Sequence, residues 1–137
     1  MLVQYTEDTY ISVAHNYAAS RDSPHKIIKD TFLDLGPMGG ILSAFRHNPN
    51  AAWLTIACDL PYLTNNTIEL LVNERDPSKL ATCYYNSEKQ SPEPLLTIWE
   101  PRAYPTMLDY LSIGYASPSK ILRDYDVCMI EIKDSTQ

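Results

Sequence analysis

The chain has 137 residues, the size of about one domain, with 45% hydrophobic and 20% charged side chains, a globular composition that excludes wholesale disorder. With 11 basic against 17 acidic residues the net charge is −6, which argues against a nucleic-acid partner, because such a surface needs a basic patch to displace counterions. No apolar run approaches the roughly 20 residues that span a bilayer, and the first residues carry no basic leader pattern, so the expectation is a cytoplasmic chain with no membrane partner.

In chain order, residues 9–14 are rich in β-branched and aromatic side chains and read as a buried strand. A polar loop leads to a short strand over 26–29, which Asp30 closes. Residues 35–40, with Gly36, Gly39 and Gly40, read as a turn into a short helix over 41–46 that Asn48 and Pro49 stop. Residues 52–58 form a nearly continuous apolar run, of the kind buried on both faces in parallel sheets, and it ends abruptly at Asp59, Leu60 and Pro61. A helix from Asn66 to Arg75 follows, with Asn66 as N-cap and Glu69 three residues on. Strands are expected over 80–85 and 95–99, with a polar loop between them. Pro101 or Pro105 opens the next helix and Gly114 lies just beyond its end. Ser117 and Pro118 open a further helix, and 127–132 is a last strand. This alternation implies an α/β fold of three layers on a mainly parallel sheet. No repeat or linker interrupts the chain, which reads as one domain over 1–137.

In open α/β sheets ligands bind at the carboxyl ends of the strands. That rule selects Asp59, straight after the most apolar strand, with Pro61 stiffening its turn, and Asp30 at the end of a second strand. A strand-end carboxylate faces solvent, caps a helix or holds a cation, and Mg²⁺ typically uses one or two carboxylates plus substrate phosphates. Gly36, Gly39 and Gly40 precede a helix start, where free amides attract anions, although a tight turn explains them equally. Ser43 lies mid-helix, with its hydroxyl expected on the preceding turn. Glu93 and Pro94 are read as a solvated loop ahead of a strand. Cys58, Cys83 and Cys128 form no C-x-x-C and sit in apolar stretches, so buried thiols are expected rather than a disulfide or zinc site. His15, His25 and His47 show no metal-ligand spacing. Tyr84, Tyr85 and Tyr110 read as packing residues.

Three blocks stand in a fixed order: Gly36-Pro37-Met38-Gly39-Gly40-Ile41, Ala57-Cys58-Asp59-Leu60-Pro61-Tyr62-Leu63 after an apolar strand, and Pro92-Glu93-Pro94-Leu95-Leu96, with Ile28-Lys29-Asp30 ahead of the first. Together they resemble the molybdenum cofactor guanylyltransferases, the MobA-like nucleotidyltransferases, over residues 10–131. The resemblance implies a Rossmann-like three-layer α/β/α domain that moves GMP from Mg²⁺–GTP onto molybdopterin and releases pyrophosphate. It also implies that Asp59 holds Mg²⁺ against the triphosphate, that Asp30 contacts the nucleotide, that Ser12 lies beside it at a strand end, and that Gly36 belongs to the nucleotide-binding turn.

Two family features have no counterpart here: the opening glycine-rich loop of the form L-A-G-G-x-S-x-R-M-G-x-D-K and the closing N-x-N-T-P segment. The expectation is therefore a chain carrying the middle and late part of the domain, without the N-terminal strand and loop, and weak or inactive alone. Alternatives are a non-catalytic module that self-associates through an exposed sheet edge, or a related transferase using another nucleotide.

Overall fold

A computed structural model describes residues 10–13, 26–29, 37–57, 64–87 and 90–131. Strands β1 (Tyr10–Val13) and β2 (Lys26–Lys29) pair in parallel. A second sheet holds β3 (Trp53–Ile56), β4 (Ala81–Asn86), β5 (Ser91–Trp99) and β6 (Cys128–Glu131) in the order β3-β5-β4-β6. Helices α1 (Pro37–His47), α2 (Asn65–Asn73), α3 (Ala103–Ser112) and α4 (Pro118–Asp124) complete the described elements.

The class is α/β as expected, and the sheet is mixed. β5 runs antiparallel to both its neighbours, while β4 and β6 are parallel. β3, β4 and β6 therefore share one direction, and their carboxyl ends meet the start of β5 at one edge. The long apolar run over 52–58 is thus not a doubly buried parallel strand. β3 pairs antiparallel with β5, its four residues are half-buried, and among the described residues it is hydrogen-bonded on that side only.

Period-two alternation sends the two faces of this sheet into two cores. Trp53, Ala81, Cys83, Trp99 and Val127 join the larger core with Met38, Leu42 and Phe45 of α1, Met107 of α3 and Ile121 of α4. Leu54, Ile56, Tyr84, Leu96, Ile98 and Ile130 face the other way, against Leu71 of α2. Helices on both faces make three layers. The flat Phe45–Tyr104 stack, with centroids 5.3 Å apart, joins α1 to α3, and α1 also packs on both β2 and β3.

Helix ends follow local chemistry, with three departures from expectation. α1 begins at Pro37, so Gly39 and Gly40 are helical rather than part of a turn; proline suits the first helical position, where its missing N–H has no partner to lose. α2 is capped by Thr64, not Asn66. The Thr64 hydroxyl accepts from the Thr67 amide and the Thr67 hydroxyl accepts from the Thr64 amide, so the box closes on a threonine rather than on Glu69. α3 starts at Ala103, between the two candidate prolines, with Pro105 in its first turn. Gly114, at φ +91°, then ends α3 in a Schellman motif: its amide donates to Leu111 O and that of Tyr115 to Tyr110 O. Ser117 caps α4, accepting from the Lys120 amide, with Pro118 next.

Candidate functional site at the carboxyl ends of β3 and β4

β5 holds the most informative departure. Its first residues, Ser91-Pro92-Glu93-Pro94, are strand rather than loop. Proline argues against a central strand because it cannot donate to the ladder; here it is tolerated because the ladder is interrupted. Cys83 pairs with Thr97, and the next residue, Tyr84, pairs with Glu93. Pro94, Leu95 and Leu96 therefore bulge out from β4. Leu96 stays opposite Ile56 on β3, and the Ala57 amide donates to Leu95 O at 2.9 Å.

Leaving a ladder strands backbone groups, which need new partners. Pro92 and Pro94 have no N–H to satisfy. The carbonyls are taken by threonines: the Thr97 hydroxyl donates to Glu93 O at 2.6 Å, and the Thr55 hydroxyl donates to Pro94 O at 2.9 Å. Trp99 Nε1 in turn donates to Thr55 Oγ1 at 3.1 Å. The Glu93 carboxylate accepts from the Leu95 amide at 3.2 Å. Glu93 is thus a half-buried strand residue with a held carboxylate, not a solvated loop charge. It lies two residues from Leu95, whose carbonyl accepts from the Ala57 amide at the end of β3. Sequence reasoning missed Thr55 and Thr97 because an isolated threonine in a strand carries no signal; prolines on both sides of Glu93 were the available clue.

Arg123 reaches the start of β5, donating to Ser91 Oγ at 2.9 Å. Burial pushes the Tyr84 hydroxyl up to about 12, and it donates to Thr67 O at 2.8 Å, which makes Tyr84 a packing residue. Cys83 is a buried free thiol, pushed up to about 12 by burial, so it is no nucleophile at neutral pH. Cys128 is free and half-buried rather than fully buried. The Ser43 hydroxyl bonds the preceding turn as expected, donating to Gly39 O at 2.8 Å. His47 lies edge-on to Trp53.

Of the residues singled out in the sequence, Ser12 lies on β1, in register with Ile28 of β2. Asp30, Gly36 and Asp59 lie outside the described residues, as do Cys58, His15 and His25. Among the described residues no three His, Cys, Asp or Glu side chains gather as a metal cluster, and no helix is long and apolar enough to cross a membrane. Asp59 and Glu93 are hard carboxylate donors, the chemistry Mg²⁺ takes, and one or two such groups suffice when phosphates complete the shell.

Residues 1–128 match the model of the MobA-like NTP transferase domain. A molybdenum cofactor biosynthesis bifunctional protein of Synechocystis is 31% identical over 132 residues, covering 96% of this chain and 38% of that protein. A probable molybdenum cofactor guanylyltransferase of Flavobacterium johnsoniae is 28% identical over 82 residues, covering 60% of this chain and 42% of that protein. Against the curated relatives it matches, the chain spans half of their length or less. Two solved structures share the fold. Molybdopterin-guanine dinucleotide biosynthesis protein A of Archaeoglobus fulgidus superposes with a TM-score of 0.64 at 22% identity, over 80% of this chain and 54% of that one. A protein of Aquifex aeolicus superposes with a TM-score of 0.66 at 15% identity, over 80% and 57%.

Proposed function

Because the chain belongs to the MobA-like NTP transferase family, we propose that it supplies part of a nucleotidyltransferase site that moves GMP from GTP onto molybdopterin. The observation that carries this reading is the family match across residues 1–128, which includes the Asp59 block just beyond β3. The names of the relatives, guanylyltransferase among them, support the choice of GTP and molybdopterin. In this reaction an oxygen of the acceptor phosphate attacks the α-phosphorus of GTP. A new P–O bond forms there, the bond from the α-phosphorus to the bridging oxygen breaks, and pyrophosphate leaves with the electron pair. No protein nucleophile is needed.

Mg²⁺, when bound, supplies charge neutralisation on the triphosphate. Asp59 is the residue assigned to hold it, while Asp30, Ser12 and Gly36 are assigned to the nucleotide. A cytoplasmic setting, where nucleoside triphosphates are available, goes with the same reading. Calorimetry with Mg²⁺–GTP tests the assignment. The chain is expected to bind no tighter than about millimolar, roughly −4 kcal/mol, because it lacks a glycine-rich phosphate loop, and Asp59→Asn is expected to weaken binding further. Equal binding by both proteins would remove Asp59 from the site.

One observation favours a second reading. β3 is bonded on one side only among the described residues, and an unpaired strand edge is a template for association. On that reading the chain self-associates through β3, and Leu54→Pro abolishes a concentration-dependent dimer in sedimentation. A monomer at all concentrations would exclude it.

A further inference from the structure

We propose that Thr55 is a positioning residue, whose hydroxyl ties the Glu93–Leu96 bulge of β5 to the end of β3 and so sets the Glu93 carboxylate. The inference rests on the transfer reading above for its purpose, and on the hydrogen bonds alone for its geometry.

Three observations converge on Thr55. Its hydroxyl donates to Pro94 O at 2.9 Å, inside the bulge, with Thr97 O a longer second acceptor at 3.3 Å. It also accepts from the Trp99 indole at 3.1 Å, and Trp99 is fully buried. A hydroxyl has one proton to give and two lone pairs, so the indole fixes the hydroxyl as an acceptor on one side and leaves its proton for the bulge. Finally, Thr55 sits on β3 only two residues before Ala57, whose amide holds Leu95 O. The bulge is thus grasped twice by the strand that leads to Asp59.

Glu93 is grasped twice as well. Its carbonyl is held by the Thr97 hydroxyl at 2.6 Å and its carboxylate by the Leu95 amide at 3.2 Å. Thr97 is fully buried and stands opposite Thr55 in the β3–β5 register. The Thr55, Thr97 and Trp99 side chains therefore form a hydrogen-bonded support beside the half-buried Glu93. Pro94 completes the arrangement, since a residue with a free N–H at that place in the bulge would need a donor satisfied as well as an acceptor. A carboxylate held in this way orients a bound cation or a substrate N–H without first losing side-chain freedom.

The test uses the full chain, Thr55→Val, which keeps the shape and deletes the hydroxyl, and Thr55→Ser, which keeps the hydroxyl. Residue-resolved amide hydrogen exchange is the readout. In Thr55→Val the Ala57 and Leu95 amides are expected to exchange about tenfold faster, as loss of one hydrogen bond to a half-buried carbonyl implies. Cys83 and Met129, paired across β4 and β6, keep their wild-type rates, and Thr55→Ser restores Ala57 and Leu95. Unchanged rates in Thr55→Val, or faster exchange over every strand alike, would overturn the proposal. Adding Mn²⁺–GTP to the same three proteins separates this inference from the transfer reading. Paramagnetic broadening at Glu93 and Ala57 in the wild type and Thr55→Ser, reduced in Thr55→Val, supports both. No broadening in any protein, with the exchange pattern intact, supports the tie and counts against the transfer reading.

Discussion

At the amino ends of β4 and β6 the chain is fastened by charge, and around the β5 bulge at the carboxyl end of β3 by hydroxyls and an indole. On the first side the Arg75 guanidinium meets Glu100 through two 2.8 Å hydrogen bonds, and Glu100 is only 2% exposed. Arg102 donates to the carbonyls of Ser78 and Pro77, and Lys79 pairs with Asp126. The Asp76 carboxylate, held below its usual range by the Ser78 hydroxyl and amide, closes the turn between them. Around the bulge the hydrogen bonds come from threonine hydroxyls, an indole and a backbone amide that meets the Glu93 carboxylate, with Arg123 on Ser91 nearby. The difference separates two tasks. The bidentate Arg75–Glu100 pair holds one end of the sheet by compensating a buried carboxylate. The other end holds the half-buried Glu93 by its carbonyl and by its carboxylate.

The strongest way to break this contrast is Arg75→Ala. It leaves Glu100 buried without its partner, a change that costs about 3 kcal/mol at the low end of the range for broken buried pairs, because Arg75 itself is partly exposed. Urea unfolding should show that loss. A midpoint near wild type would mean that water reaches Glu100 and that the pair does not hold that end. Thr97→Val is next. Removing its hydroxyl orphans Glu93 O, at a cost of about 1–2 kcal/mol, with the change in exchange confined to residues 93–97 rather than spread over the sheet.

Alkaline titration sharpens the picture of the core between the two ends. Burial raises the Cys83 thiol from 9.0 to about 12, so the folded state holds the proton more tightly than the unfolded chain. That contribution is full below pH 9.0 and is lost as pH rises from there towards 12. The unfolding midpoint should fall across this window, and Cys83→Ala should flatten the fall. An unaltered slope would show that the thiol is solvated. The smallest effect belongs to Lys79→Ala. Its partner Asp126 is 80% exposed, and an exposed ion pair is screened by water and salt, so the midpoint should not move measurably. A clear drop would show that the charged end acts as one network rather than through Arg75 and Glu100.

Much of this arrangement was legible in the sequence, for identifiable reasons. Ser117-Pro118 and Gly114 are local signals, and local backbone chemistry decided both helix ends. The resemblance rested on short blocks whose order survives, and the family match and shared fold agree with it. Apart from three helix starts, what failed involved partners distant in sequence. The run over 52–58 is apolar enough for a central parallel strand, yet its register was set by β5, some 40 residues on, which runs antiparallel. Pro92 and Pro94 suggested a loop because proline cannot donate to a ladder, and only the register shift beside Tyr84 shows that Pro94 sits where the ladder is broken, while Pro92 pairs with Tyr85. Glu93 was set aside for the same reason. Thr55 and Thr97 could not have been found, since their importance lies in carbonyls freed by that shift.

The central claim is that the carboxyl end of β3 presents the group on which nucleotidyl transfer depends. The most direct test is Mg²⁺-dependent transfer of GMP from labelled GTP to molybdopterin, by a polypeptide comprising this chain with the residues that flank it in its gene, compared with the same polypeptide carrying Asp59→Asn. The account predicts that the substitution removes transfer and leaves the unfolding midpoint where it was. Transfer undiminished by Asp59→Asn would contradict it.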